Sequence, residues 1–155
     1  MRASGVVYDG EPSLTRVAEG VWLDSVAGFR AWEHSAIIGV GEAFWNWASE
    51  EVLRWGIKTC SGFTVDPPVR VSVHDRPIIT ARPFGLTVRE PVEVVEVVDT
   101  DTRVGFAYRT LPQHPVSGEE AFIVERRGEA VALTIRSLTR AGEARRWRVL
   151  YPPPS

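Results

Sequence analysis

VGFAYRTLPQHPVSGEEAFIV, Val104 to Val124, decides how the rest of the chain is read: two strand-like segments flank a loop holding Pro112, His114, Pro115 and Gly118 beside the paired carboxylates Glu119 and Glu120. The connection is short, so the two segments must run antiparallel, because a parallel pair needs a crossover of about a dozen residues or more. Working outward, the same two-residue period recurs from Gly62 onward. Val69, Val71 and Val73 alternate with Arg70, Ser72 and His74, and further strands are expected at Ile78 to Ala81, Phe84 to Val88, Val92 to Val98, Val104 to Thr110, Ala121 to Glu125, Val131 to Leu138 and Trp147 to Tyr151. Turn signals separate them: Asp66-Pro67-Pro68, Asp75-Arg76-Pro77, Arg89-Glu90-Pro91, Asp99 to Asp101, Arg127-Gly128-Glu129 and Ala141-Gly142.

Upstream the period changes. Phe29 to Ile38 reads as a strand entering Gly39 and Gly41, after which Glu42 to Trp55 has helical spacing, with Phe44, Ala48, Val52 and Trp55 on one apolar face. Glu42 complements the helix dipole and Gly56 stands as a C-terminal stop. Residues 1–20 mix Gly, Pro, Glu and Arg and read as an extended arm, with one short edge strand near Leu14 to Val17; residues 152–155 trail as a tail. One helix followed by a run of strands is an α+β arrangement: a curved antiparallel sheet of about seven strands wrapped around one main helix, in a single domain spanning 1–155.

A chain of 155 residues with 44% apolar content is long enough for one real core. Its longest apolar runs, such as Ala36 to Val40, fall far short of the roughly 20 residues that a spanning helix needs. MRASGVVYDG lacks the apolar stretch of a secretory signal, so a cytoplasmic location is the expectation. Cys60 is the only cysteine, which excludes an internal disulfide and a multi-cysteine zinc site. Net charge is −2, and acidic and basic residues are interspersed, although Lys58 is the only lysine among many arginines. That balance argues against nucleic acid as a partner. Arg140, Arg145, Arg146 and Arg148 near the C-terminus read as a solvated edge.

Two blocks carry a family resemblance. Glu33 to Trp55, through Gly39, Gly41, Ala43, Phe44, Ala48, Leu53 and Trp55, resembles the Gly-x-Gly entry into an amphipathic helix of the DUF1990 family. Gly105 to Phe122, through Gly105, Phe106, Tyr108, Thr110, Leu111, His114, Pro115, Gly118, Glu119, Glu120 and Phe122, resembles that family's signature. Arg109 and Gln113 stand where the family has small residues. The family also continues into a C-terminal helix that AGEARRWRVLYPPPS lacks, so this helix is expected to be missing. The family in turn resembles the START and Bet v 1-like helix-grip domains, which implies an apolar cavity between sheet and helix.

His114, Glu119 and Glu120 supply a base and acids for proton transfer within one short segment. In a strand the two glutamates point to opposite faces, so at most one shares His114's side, and an inward Glu120 would need a partner, for which Arg136 is the natural candidate. His34, His74 and His114 lack local ligand spacing, so no metal is implied, and no cofactor motif occurs. Gly39 and Gly41 lack the third glycine of a dinucleotide fingerprint, and Cys60 stands away from any base. Trp45, Trp47 and Trp55 share one helix; core packing is the expectation for each and suits Trp55 most readily, with a pocket, a dimer contact or an exposed patch as the alternative for Trp45 or Trp47.

The leading expectation is a non-catalytic binding domain for a small apolar or amphipathic ligand. Phe106, Tyr108, Phe122, Leu133 and Ile135 would form the lining, and Tyr108, His114, Glu120 and Arg136 the polar anchors. The alternatives are an enzyme, a hydrolase, cyclase or isomerase using His114 with a carboxylate, and a homodimeric interaction module. Whether any reaction is catalysed is left open by the sequence.

Overall fold

The computed structural model describes residues 7–9, 12–22, 26–111 and 118–140. Among the described residues eight strands form one antiparallel sheet: β1 (Val7–Asp9), β2 (Phe29–Val40), β3 (Thr64–Asp66), β4 (Ile78–Ala81), β5 (Val88–Asp99), β6 (Arg103–Thr110), β7 (Gly118–Arg127) and β8 (Ala130–Arg140). Their order is β2-β8-β7-β6-β5-β4-β3, with β1 also paired to β5. The described chain is thus α+β with an antiparallel sheet, as its alternating pattern predicts. Residues 147–151, expected as a last strand, and the segment expected to lack a helix lie outside the described residues.

The helical segment is divided in two. α1 (Glu42–Val52) buries Trp45, Ala48, Ser49 and Val52 against the sheet, at i, i+3, i+4 and i+7, while Trp47 is 59% exposed and Phe44 half-buried. Trp55 then takes a left-handed conformation, φ 65, and a second short helix, α2 (Gly56–Cys60), begins. Gly56 is therefore no stop signal. It opens α2 because a Cβ there would lie 2.7 Å from the carbonyl oxygen of Glu51.

Two strand expectations and one turn expectation are corrected. Val69 to Val73 forms no strand: only Val71 is buried, its N–H bonds the Leu53 carbonyl at the end of α1, and the segment hangs between Pro68 and Pro77 with no ladder. Phe84 lies in a 3-10 turn, Pro83–Gly85, and the strand starts at Val88. Arg89-Glu90-Pro91 is no turn, since β5 runs straight through it. Pro91 has no N–H to give and stands where β6 has ended, with its carbonyl accepting from the Leu111 N–H.

Both faces of the sheet are covered over its central strands, while most of β2 is exposed. On one side α1 and α2 pack over Val92, Val94, Val97, Val104, Phe106, Tyr108, Phe122, Val124 and Val131. On the other, a strap of residues 12–22, built from turns rather than the expected edge strand, buries Val17 against Val98, Ala107, Ala121 and Ile123. Register explains the division: Tyr108 pairs with Glu120 and Val94, Phe106 with Phe122, so their side chains share the helix side, while Ala107 pairs with Ala121 on the strap side.

Candidate functional site

Among the described residues, the helix side of the sheet holds four buried ionisable groups within its aromatic core: Lys58 of α2, Glu90 of β5, Tyr108 of β6 and Glu120 of β7. The ladder sets three of them. Tyr108 and Glu120 are cross-strand partners, and the Tyr108 hydroxyl donates to Glu120 Oε1 at 2.6 Å. Glu90, opposite Ile79 of β4, projects to the same side as Val92 and Val94. Lys58 descends from above, 0% exposed, with Nζ 3.8 Å from Glu120 Oε1 and 3.9 Å from the centre of the Phe63 ring. The first contact is an ion pair without hydrogen-bond distance, and the second is a cation over an aromatic face. Trp55, Phe106 and Phe122 complete the surroundings, with Trp55 edge-on to Phe106 at 4.7 Å and Phe106 edge-on to Phe122 at 5.8 Å.

Burial dominates the protonation chemistry. It pulls the Lys58 ammonium down to about 8, against the attraction of Glu120 and then Glu90. Burial pushes the Glu120 carboxyl up to about 7, opposed by Lys58 and by the Tyr108 hydrogen bond and reinforced by Glu90. The Tyr108 phenol is pushed well above its ordinary value, first by burial, then by Glu120 and Glu90. An amine at about 8 and an acid at about 7 exchange a proton at little cost, and both change charge near neutral pH. Strongly perturbed groups that face one another inside a protein mark a candidate functional site.

Of the residues singled out from the sequence, Tyr108, Glu120, Phe106 and Phe122 come together here, with Leu133 and Ile135 half-buried against the same core. Arg136 does not join them. It lies on the strap side, where its Nε donates to Glu33 at 2.6 Å and its two terminal nitrogens donate to the carbonyls of Thr15, Arg16 and Gly20. The inward Glu120 is therefore partnered by Tyr108 and Lys58, and not by Arg136. Glu119 faces the strap as strand alternation requires, accepting from the backbone of Leu14 and Thr15, from the Thr15 hydroxyl and from Arg109. His114 lies outside the described residues. His34 and His74 are exposed and far apart in the fold, on β2 and in the loop before β4.

Lys58 and Glu90 are the two members that sequence reasoning missed. Glu90 was hidden in a dipeptide that reads as a turn before Pro91. Lys58 was hidden because α2 is too short to show a helical period. One signal could have found it: 18 basic residues include a single lysine.

Comparison with known proteins places the chain among relatives of undefined activity. The model of a domain of unknown function, DUF1990, matches residues 17–153. A UPF0548 protein of Deinococcus radiodurans is 43% identical over 61 residues, a stretch that covers 39% of this chain and 31% of the relative's length. Among solved structures, the hypothetical protein jhp0584 of Helicobacter pylori is similar, with a TM-score of 0.59 and 12% identity, over 76% of this chain and 73% of that one. At that identity the likeness is one of fold.

Proposed function

This chain belongs to the DUF1990 family, a domain of unknown function, and from that footing we propose that it binds a small apolar or amphipathic ligand between its helices and its sheet, in the helix-grip manner, with the sheet curving around α1. The apolar body of the ligand lies against Phe106 and Phe122, and its polar end meets Tyr108, Glu120, Lys58 and Glu90. His114, which falls between β6 and β7 in the sequence and outside the described residues, belongs to the proposed ligand-contacting set; Arg136 is left to the strap.

One observation supports this reading above others: four ionisable side chains, each 2% exposed or less, sit together inside an aromatic wall. Burying charged groups costs several kcal/mol per ion, and apolar residues of similar volume often give a more stable core, so stability alone is a poor reason for the cluster. A mostly apolar site with a few convergent polar groups is what recognition of an amphipathic molecule requires.

Native mass spectrometry of freshly purified full-length protein tests the proposal. A co-purifying small molecule should appear on the wild type, and its occupancy should fall at least about tenfold with Glu120→Gln, by loss of a charged hydrogen-bonding group worth about 1.5–3 kcal/mol. Wild-type protein that carries nothing and retains no member of a panel of fatty acids, fatty alcohols and fatty aldehydes would overturn it.

A further inference from the structure

The two faces of the sheet solve the problem of a buried cation in different ways. On the strap side, Arg103 and Arg136 are the buried cations among the described residues, and both spread their charge over a fan of acceptors: Arg103 donates to the carbonyls of Val17 and Glu19 and to Glu125, Arg136 to three carbonyls and Glu33. A guanidinium suits that task, because it holds its proton under all ordinary conditions and presents a fixed fork of donors. The helix side instead carries the chain's single lysine, set over the Phe63 ring and beside the carboxyl of Glu120, which is itself held by the phenol of Tyr108. An amine can do what a guanidinium cannot. It can give up a proton near neutral pH and use the freed electron pair to form a bond to carbon, and a desolvating, aromatic setting is where lysines do so.

We propose that Lys58 captures carbonyl compounds: the ligand of this site is a small aldehyde or ketone with an apolar tail, held by Lys58 Nζ as a reversible imine. The inference rests on the ligand-site reading above and deepens it. The Glu120 carboxylate accepts a proton from the Lys58 ammonium across their 3.8 Å separation. The nitrogen lone pair then forms the N–C bond while the carbonyl π pair moves to oxygen, which takes that same proton from Glu120 to give an N-protonated carbinolamine and restore the carboxylate. The nitrogen loses its second proton to Glu120, the hydroxyl leaves as water with a proton returned through Glu120 and Tyr108, and the C=N bond closes. Amine and carbonyl give imine and water, with no change of oxidation state. Glu90, facing the same cluster, adds negative charge that favours the protonated, cationic imine. Lys58 is enclosed in this structure, so capture requires α2 to move aside; that helix is five residues long, with the left-handed Trp55 at one end and Gly62, φ 90, just past the other.

Because Lys58 is the only lysine, reductive trapping reads the site cleanly, with the chain's α-amine as internal reference; that amine ordinarily titrates near about 7.7–8.0 and so is similarly available. Full-length protein is incubated at pH 7 with octanal and sodium cyanoborohydride and analysed by intact mass and peptide mapping, and octanal and octan-1-ol are each tested without reductant by native mass spectrometry. The expected result is one saturable octyl adduct on Lys58, formed at least about tenfold faster than on the α-amine, slowed about tenfold or more in Glu120→Gln and absent at position 58 in Lys58→Arg. Retention of octan-1-ol and octanal with no trapping at Lys58 would overturn imine capture and leave the ligand site standing. Loss of both retention and trapping would overturn the two together.

Discussion

At the scale of single residues, the bond from Tyr108 to Glu120 carries the most information. It favours the charged carboxylate, opposing the burial that leaves the Glu120 pKa raised to about 7. Tyr108→Phe is therefore expected to raise the Glu120 pKa further, and to cost about 1–3 kcal/mol of stability at pH 8, where the carboxylate is charged, but less at pH 5, where it is neutral. Urea melts at the two pH values check this; equal losses at both would mean that the hydroxyl serves packing alone. Tyr108 and Glu120 were legible in the sequence because a strand's period of two is rigid: once the Gly105 to Phe122 segment is read as a hairpin, residues of like parity must share a face. Gly105 marks the same ladder's closeness. A Cβ there would come 2.4 Å from the carbonyl oxygen of Phe122 and 2.9 Å from the Cα of Ile123. Backbone cannot yield as a side-chain tip can, so Gly105→Ala should destabilise the protein by about 1–3 kcal/mol, seen as a fall in Tm with unchanged cooperativity.

At the scale of elements, the strap is held in a way that no periodicity announces. Its carbonyls at Thr15, Arg16, Val17, Glu19 and Gly20 accept from Arg103 and Arg136, and its N–H groups at Ser13, Leu14 and Thr15 donate to Glu96 and Glu119. The segment is neither helix nor strand, so side chains of the sheet supply the partners that secondary structure would otherwise supply. A sequence reading that looks for apolar repeats finds only an extended arm there. The charged residues that hold it, Glu96, Arg103, Glu119 and Arg136, come one each from β5, β6, β7 and β8, so no local spacing in the sequence marks them as a set. The segment from Val69 to Val73 fails in the opposite sense: it has the alternation of a strand and, among the described residues, no strand to pair with. Arg136→Met should cost about 3–5 kcal/mol, because Glu33 and three strap carbonyls lose a buried donor at once. Amides of residues 13–17 should exchange with solvent faster, while those of α1 should keep their protection relative to global unfolding. A loss below about 1 kcal/mol would mean that water replaces the guanidinium without penalty.

At the scale of the whole molecule, the two covered faces differ in how they respond to pH. Glu120 is ordinarily a 4.5 carboxyl and is raised to about 7 in the fold, so between those values the folded state holds a proton that the unfolded chain has released. Stability from this group is full below pH 4.5 and is lost as pH rises through 7. Lys58 has the opposite sign. Lowered from 10.5 to about 8, it is neutral in the folded protein over a range in which the unfolded chain still carries the proton, so its penalty is relieved as pH rises from 8 toward 10.5. Tyr108 cuts that rise short, because a phenol held above its ordinary 10 makes stability fall again as the unfolded chain ionises. The cluster should thus place a minimum of stability between pH 7 and 8, with stability falling as pH rises from 4.5 to 7. Exposed ion pairs contribute their own pH dependence, so the profile is best read as wild type minus a Lys58→Met, Glu120→Gln double variant, from chemical denaturation at pH 5, 6, 7, 8 and 9. The difference should fall from pH 5 to 7 and climb from 8 to 9, since the variant keeps the strap and removes the titrating pair. A flat difference would show that Lys58 and Glu120 titrate in the fold as they do in the unfolded chain, and a buried cluster with ordinary titration would have no acid-base work to offer a ligand.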